Sequence, residues 1–412
     1  MTDKAFKIAV IGCGVVGSGV ADILINESGK LSARFSRQVA LKSILDIRDL
    51  TGTPYEQYAV KDPKNVLEDE EIDVAVVTVG GLDFAYSITK KALLAGKHVV
   101  TSNKDLVAEH GRELEGIAYD KGVRFLYEAS VGGSVPIIRP LRICMGANVI
   151  SGIMGVVNGT TNYMLTRMEE DGLSFDEALW EAQTRGYAEA NPSSDVDGFD
   201  PARKIAILSS IAYGKFVDYK KIPTTGIRKI TAGDIANAGA LGGRIKLIAR
   251  TALVNGAVTA CVEPQLVMKS SFLCSVSGAY NGILIRGEYT GNTFFYGIGA
   301  GKLPTANAIC GDIVELLIGA ENDAVKPGFI SNEAEIAPIG EPSRYYIRLD
   351  NIPDGEFKPG LEGLQMVSCG STTAFVTGEL TPEGLSETVD SLTKAFPGST
   401  AGLILKIFNE TV

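Results

Sequence analysis

Near the middle of the chain a run of acids ends on a lysine: Gly186-Tyr-Ala-Glu189-Ala-Asn-Pro192-Ser-Ser-Asp195-Val-Asp197-Gly198-Phe-Asp200-Pro201-Ala-Arg-Lys204. Carboxylates hold cations and accept protons, and a lysine beside one can carry a proton to or from a reacting oxygen. Asp200 followed by Pro201 reads as the N-cap and first residue of a helix reaching Tyr213. On that helix Asp200 and Lys204 share a face. The next residues, Ile205-Ala-Ile-Leu-Ser-Ser-Ile-Ala212, are mostly apolar, so the helix should be buried with Lys204 at its mouth. A capped helix with a surface ion pair would use the same residues. Thr101-Ser-Asn-Lys104 weighs for chemistry, because it follows a strand at the carboxyl edge of a parallel sheet, where such folds bind ligands.

A second pattern is made for an anion. Lys7-Ile-Ala-Val-Ile-Gly12-Cys13-Gly14-Val15-Val16-Gly17 sets Gly-x-Gly-x-x-Gly after a strand and at the start of a helix. The first glycine allows a tight turn, the second admits a pyrophosphate, and the third lets helix and strand pack closely. The helix N-terminus supplies N–H groups to the phosphates. A glycine turn without a ligand would look the same in isolation, but further βα units around it favour a dinucleotide. Thr78, at the end of a later strand, joins Gly12 to Gly17 in the expected cofactor set. Asp46 and Arg48 follow the second strand, where the adenosine ribose is read. An acid there suits a free 2′-hydroxyl and an arginine a 2′-phosphate, so NAD and NADP both stay open.

The elements that must position these groups change character along the chain. Lys7–Ile11, Val39–Leu45, Val74–Val79, His98–Thr101 and Arg124–Tyr127 read as buried parallel strands alternating with helices such as Phe84–Ala95. That rhythm implies a doubly wound α/β domain over 1–135. From Pro136 onward the chain reads as α+β, over 136–320. A strand over Val149–Val157 precedes helices over Thr161–Glu170, Phe175–Arg185 and Pro201–Tyr213. Strands follow over Ile245–Leu253, Gly282–Glu288 and Thr293–Gly297, in a mostly antiparallel sheet. The helix Pro304–Ile318 is expected to return to the first domain. A linker, 321–342, precedes a small tail, 343–412, with strands at Arg344–Asp350, Ser371–Glu379 and Gly402–Phe408 and a helix at Pro382–Ala395.

The bulk numbers narrow the class. Hydrophobic residues at 45% and charged residues at 21% are those of a water-soluble globular protein, with no apolar run long enough for a bilayer. The first residues carry no signal-peptide pattern, so a cytoplasmic location is expected. Six scattered cysteines and two histidines form no zinc or disulfide pattern. A net charge of −10 argues against nucleic acid as a partner.

With these residues in hand, the chain resembles the homoserine dehydrogenases from about residue 5 to 320. The resemblance rests on the acidic run ending at Lys204, on Thr101-Ser-Asn-Lys104 and on Tyr127-Glu-Ala-Ser-Val-Gly-Gly133. Val157-Asn-Gly-Thr-Thr-Asn-Tyr163 and Tyr296-Gly-Ile-Gly-Ala-Gly301-Lys-Leu-Pro-Thr305 add to it. It implies a Rossmann domain, a catalytic α+β domain and a small ACT-like tail, in a homodimer or homotetramer. The implied reaction is the reversible, NAD(P)-dependent interconversion of L-homoserine and L-aspartate 4-semialdehyde, in threonine, methionine and isoleucine biosynthesis. Carried over, Lys204 resembles the general acid/base, with Lys104 as partner near the nicotinamide. Glu189, Asp195 and Asp200 resemble substrate ligands, and Gly159 and Thr160 the backbone site for the substrate carboxylate. Gly301 resembles a late cofactor contact. Glu128, Val131, Gly133 and Val135 resemble a sodium site of main-chain carbonyls and one carboxylate.

Two departures stand out. Ala190-Asn191-Pro192 replaces the family's frequent Pro-Asp-Pro, and Ser194 stands where some relatives have aspartate. No kinase domain precedes the cradle, so the fused aspartokinase form is not expected. In the tail, two prolines and three glycines between Asp350 and Gly370 leave no room for the first helix of a regular ACT domain. A shortened module that packs or assembles, and does not sense threonine, is expected. The competing readings are a dehydrogenase for another small hydroxy amino acid and a catalytically silent dinucleotide sensor. Retention of both lysines and the central acids speaks against the sensor.

Overall fold

The computed structural model describes residues 5–319, 332–352 and 363–409. The first unit comprises Met1–Ile150, Ala206–Tyr219 and Gly297–Ala334. Its elements run β1 (Phe6–Ile11), α1 (Val15–Phe35), β2 (Val39–Leu45), β3 (Ala59–Val60), α2 (Lys64–Leu67), β4 (Val74–Val77) and α3 (Asp83–Leu94). They continue with β5 (His98–Thr101), α4 (Lys104–Asp120) and β6 (Phe125–Leu126). The strands form one parallel sheet in the order β3-β2-β1-β4-β5-β6. This is the order of a doubly wound dinucleotide fold, with its crevice where β1 and β4 diverge in connection. Every residue of β4 is buried, as expected of a strand covered on both faces.

The second unit comprises Ser151–Ile205, Lys220–Tyr296 and Glu335–Val412. Its chain opens with β7 (Ile150–Val156), α5 (Gly159–Asp171), α6 (Phe175–Thr184), α7 (Ser193–Val196), the start of α8 (Phe199–Tyr213, whose residues from Ala206 belong to the first unit) and α9 (Ala232–Ala240). Then come β8 (Gly243–Val254), β9 (Ala257–Met268), β10 (Tyr280–Gly287) and β11 (Gly291–Ile298). After α10 (Lys302–Gly319), the tail supplies β12 (Arg344–Asp350), β13 (Gln365–Cys369), β14 (Thr372–Val376), α11 (Pro382–Ala395) and β15 (Thr400–Phe408). The strands make a nine-stranded sheet in the order β11-β10-β7-β8-β9-β15-β12-β14-β13. The resolved ladders are antiparallel except β15–β9, which is parallel. β8 and β9 are paired along their full length around Asn255-Gly256, whose φ of 51° and 79° suit the tight turn of a two-residue hairpin.

α10 belongs to the first unit, where Ala306, Ile309, Ile313 and Leu316 share a core with Ile8, Val10, Val20 and Leu24. The residues read as a separate tail do not stand apart. Their strands continue the second unit's sheet through β15. About half of the proline- and glycine-rich stretch noted in the tail falls on 353–362, and half of the expected linker on 321–331, both outside the described residues. Among the described residues no helix is long and apolar enough to cross a membrane.

Candidate active site

In the first unit the glycine cradle is built as its chemistry requires. Gly12 has a φ of +96°, and a Cβ there would lie 2.7 Å from the Val79 side chain. A Cβ on Gly17 would strike the Gly12 carbonyl at 1.8 Å, so helix and strand close only over a glycine. At Gly14 a Cβ would meet nothing within 4 Å, leaving an open approach to the start of α1. No side chain caps α1, so the N–H groups around Val15 and Val16 remain available to an anion. The Thr78 hydroxyl donates to the Gly12 carbonyl at 2.7 Å and braces the turn. Gly12, Gly14, Asp46, Arg48, Thr78 and Lys61 are among the residues lining a cleft of about 550 Å³. These residues fit a dinucleotide. Gly301 precedes α10, whose first residues press on α1 at Gly19, and Lys302 pairs with Asp22 at 2.7 Å.

Asp46 and Arg48 are bonded to each other. The Asp46 carboxylate accepts from the Cys13 N–H at 2.6 Å, the Arg48 N–H at 2.8 Å and the Arg48 guanidinium at 2.8 and 3.0 Å. The Arg48 guanidinium beside Asp46 holds its carboxyl well below the usual carboxylate range. Lys61, which the sequence reading passed over, donates to the carbonyls of Asp46, Ile47 and Arg48. It adds a cation under the same loop. Lys104 opens α4 at the carboxyl edge of the parallel sheet, behind Asn103, whose side chain caps the helix at Leu106.

In the second unit one side chain organises the acids. Asn158 caps α5: its carbonyl oxygen accepts from the Thr161 N–H at 2.8 Å. Its NH2 group donates to Asp195 at 2.6 Å and to Asp200 at 2.8 Å. Asp200 in turn pairs with Lys204 at 2.8 Å, and the lysine Nζ also donates to the Val157 carbonyl at 2.7 Å. Lys204, Asp200, Asp195 and the N-terminus of α5 are thereby one bonded group. The N–H groups of Gly159 and Thr160 open α5 and have no earlier turn to donate to. The Thr160 hydroxyl donates to the Tyr187 carbonyl at 2.6 Å, tying the loop that carries Glu189. The Glu189 side chain itself is exposed.

One expectation is corrected here, and Glu128 has a further task in the fold. Asp200 does not cap its helix, because α8 starts at Phe199, two residues before Pro201 and after Gly198 with φ +87°. Its carboxylate is spent on Lys204 and Asn158 instead. The Glu128 carboxylate takes the backbone N–H groups of Ile137, Ile138 and Arg139 at 2.6–2.8 Å and so anchors that turn. Three donors thus share its two oxygens. Among the described residues no cluster of three or more His, Cys, Asp or Glu could hold a metal. Asn158 was missed as a functional residue, although an asparagine directly before Gly-Thr-Thr is an N-cap signal.

Known proteins share this arrangement of domains. The family model described as homoserine dehydrogenase matches residues 136–314, and that of the homoserine dehydrogenase NAD binding domain matches residues 12–128. A homoserine dehydrogenase of Synechocystis sp. is 40% identical over 360 residues, 83% of this chain and 82% of that protein. The crystal structure of a homoserine dehydrogenase from Thiobacillus denitrificans gives a TM-score of 0.88 at 30% identity, covering 98% of this chain and 99% of that one. A hyperthermophilic archaeal homoserine dehydrogenase in complex with NADPH gives 0.64 at 28% identity, over 76% of this chain and 98% of that one. Both matched domains lie in the order and place where the cradle and the acid–lysine group were found, and the chain belongs to the homoserine dehydrogenase family.

Proposed function

We propose that this chain interconverts L-homoserine and L-aspartate 4-semialdehyde, with Lys204 as general acid/base. The observation that carries the reading is the bonded group of Asn158, Asp195, Asp200 and Lys204 at the start of α5. Two fixed acceptors, Asp200 and the Val157 carbonyl, hold the lysine Nζ in one place, so it can meet a reacting oxygen without searching. The Gly159 and Thr160 N–H groups, at the positive end of α5, receive the substrate carboxylate. The exposed Glu189 meets its ammonium, with Asp195 in support. When bound, the nicotinamide dinucleotide supplies or accepts the hydride. Gly12, Cys13, Gly14, Val15, Val16 and Gly17 hold its pyrophosphate, with Thr78 and Gly301 beside them and Lys104 toward the nicotinamide. Asp46 and Arg48 set the choice between NAD and NADP.

Any sodium would rest on Glu128, Val131, Gly133 and Val135, and no step depends on it. The cytoplasm is the compartment this reading implies. We further take the working form as a homodimer joined at edge strand β11, where Tyr296 stacks on Tyr280 at 5.1 Å and both rings are exposed. Sedimentation should give at least twice the chain mass, and Tyr280→Lys should lower it. The test of function is the absorbance of the reduced dinucleotide with homoserine, and with other hydroxy amino acids, under NAD and NADP in turn. Lys204→Ala should cut kcat by about 100-fold or more while dinucleotide binding survives. Near-native turnover in that variant would remove Lys204 from the role.

A further inference from the structure

The buried core of the second unit contains a lysine that the reaction above does not use. Lys246, on β8, is 1% exposed, and its Nζ donates to the Asn162 side-chain carbonyl at 3.0 Å and to the Val276 backbone carbonyl at 2.6 Å. Both acceptors are neutral. A buried ammonium held only by neutral groups is costly, and folds ordinarily give such a charge a carboxylate or an apolar replacement. Its setting points to a different partner.

Asn162 lies one turn into α5, three residues after Gly159. While its carbonyl accepts from Lys246, its NH2 donates to the carbonyls of Gly278 at 2.8 Å and Tyr280 at 3.2 Å. The Thr166 hydroxyl, one turn further on, accepts from the Gly278 N–H at 3.0 Å. Lys246 holds the start of the same loop at Val276. The loop 276–280 is thus stapled to α5, and it passes so close to the helix start that a Cβ on Gly159 would lie 3.2 Å from the Ala279 carbonyl oxygen.

We propose that Lys246 is a positioning residue of the carboxylate site: through Asn162 it fixes the loop against Gly159, and its ammonium is the buried cation that a bound substrate carboxylate answers. This inference rests on the reading of Gly159 and Thr160 as that site. The charge sits beside the first turn of α5 and adds to the partial positive charge of the helix end. Burial pushes the Lys246 ammonium down to about 8, and Arg244 on the same strand pushes the same way. Glu169 and Glu170 on α5 and Cys274 beside Val276 act in the opposite sense. An anion arriving at the helix start would add to these and favour the charged lysine.

The test compares two non-reacting competitors of homoserine, α-aminobutyrate and its carboxamide, which differ in the negative charge. Their inhibition constants would be measured on the wild type and on Lys246→Met, a variant of similar length that suits an apolar core. The wild type should prefer the acid by about tenfold or more, and the variant should lose most of that preference through weaker binding of the acid. Binding of the amide, the KM for the dinucleotide and thermal stability should stay close to wild type. Lys246→Arg should restore part of the preference. A Met variant that keeps the preference overturns the proposal, as does one that weakens acid and amide alike. A wild type without preference overturns instead the reading of the α5 N-terminus as a carboxylate site.

Discussion

Asp46 and Arg48 bond to each other in the cleft we propose for the dinucleotide, so a change in one alters the setting of the other. Asp46→Asn keeps an acceptor for the Cys13 N–H but drops the charge that holds the guanidinium. We expect it to release Arg48 and raise kcat/KM with NADP relative to NAD, whereas Arg48→Ala should lower that ratio. Ratios that stay put in both variants would take the pair out of the ribose site. His98 offers a pH prediction. Its Nδ1 accepts from the Arg124 N–H at 3.0 Å, and burial, with Arg124 adding, depresses the imidazole from 6.5 to about 4. The unfolded chain therefore takes up the proton first. The stabilisation is whole above pH 6.5 and drains as pH falls toward about 4, by at most about 1.4 kcal/mol per unit. His98→Asn keeps an acceptor and should flatten this acid limb in urea titrations; parallel curves would exclude it. At this scale the Asp200–Lys204 pair and the tight glycine turn were legible in the spacing of the sequence. It was silent on the clasp of Asp46, on Lys61 and on the anchoring role of Glu128, because those depend on which donors the fold brings to each carboxylate or carbonyl.

At the scale of elements, the tail is fastened to the substrate unit by a buried charge. Arg348 of β12 donates to Asp234 of α9, which is fully buried and also receives the Tyr346 hydroxyl at 2.8 Å and the Thr231 hydroxyl at 2.7 Å. Arg348→Ala would leave that carboxylate buried without its cation, a loss of about 3–5 kcal/mol. Denaturant titration reads it directly, and a change under about 1 kcal/mol would show that water or a neighbour takes over. Five strands of the nucleotide sheet were legible to within a residue or two, since buried parallel strands announce themselves as Val- and Ile-rich runs, while the two-residue edge strand β3 was not read. β9 was not recognised, although Asn255-Gly256 is a strong hairpin signal. Pro264 interrupts its pattern, and the fold tolerates it by placing it between the bridge from Thr224 to Val262 and the ladder to β15 that begins at Gln265. β13 was hidden because its partner, β14, satisfies it through a register that no local periodicity reveals.

For the whole molecule, the tail bears on regulation. One side of its strands packs Tyr345, Ile347, Leu349 and Phe375 with Leu392 and Phe396 of the α11 region. From the other side Tyr346 and Arg348 reach α9. With both sides taken, threonine titrated against the purified enzyme should give no saturable inhibition, and a saturable curve would make the tail a sensor after all. The sheet order has one more consequence. β15 is the single link between the strands before α10 and those after it, lying between β9 and β12. Until it emerges from the ribosome, Gln265 to Val267 of β9 must wait with one edge unpaired and apolar neighbours Leu266 and Val267 uncovered. The nascent chain can complete its nucleotide unit only after α10 and its substrate sheet only after residue 408, so synthesis offers no early, self-sufficient half of that sheet. A product cut short before β15 would keep that edge of β9 open to strand pairing, a template for aggregation.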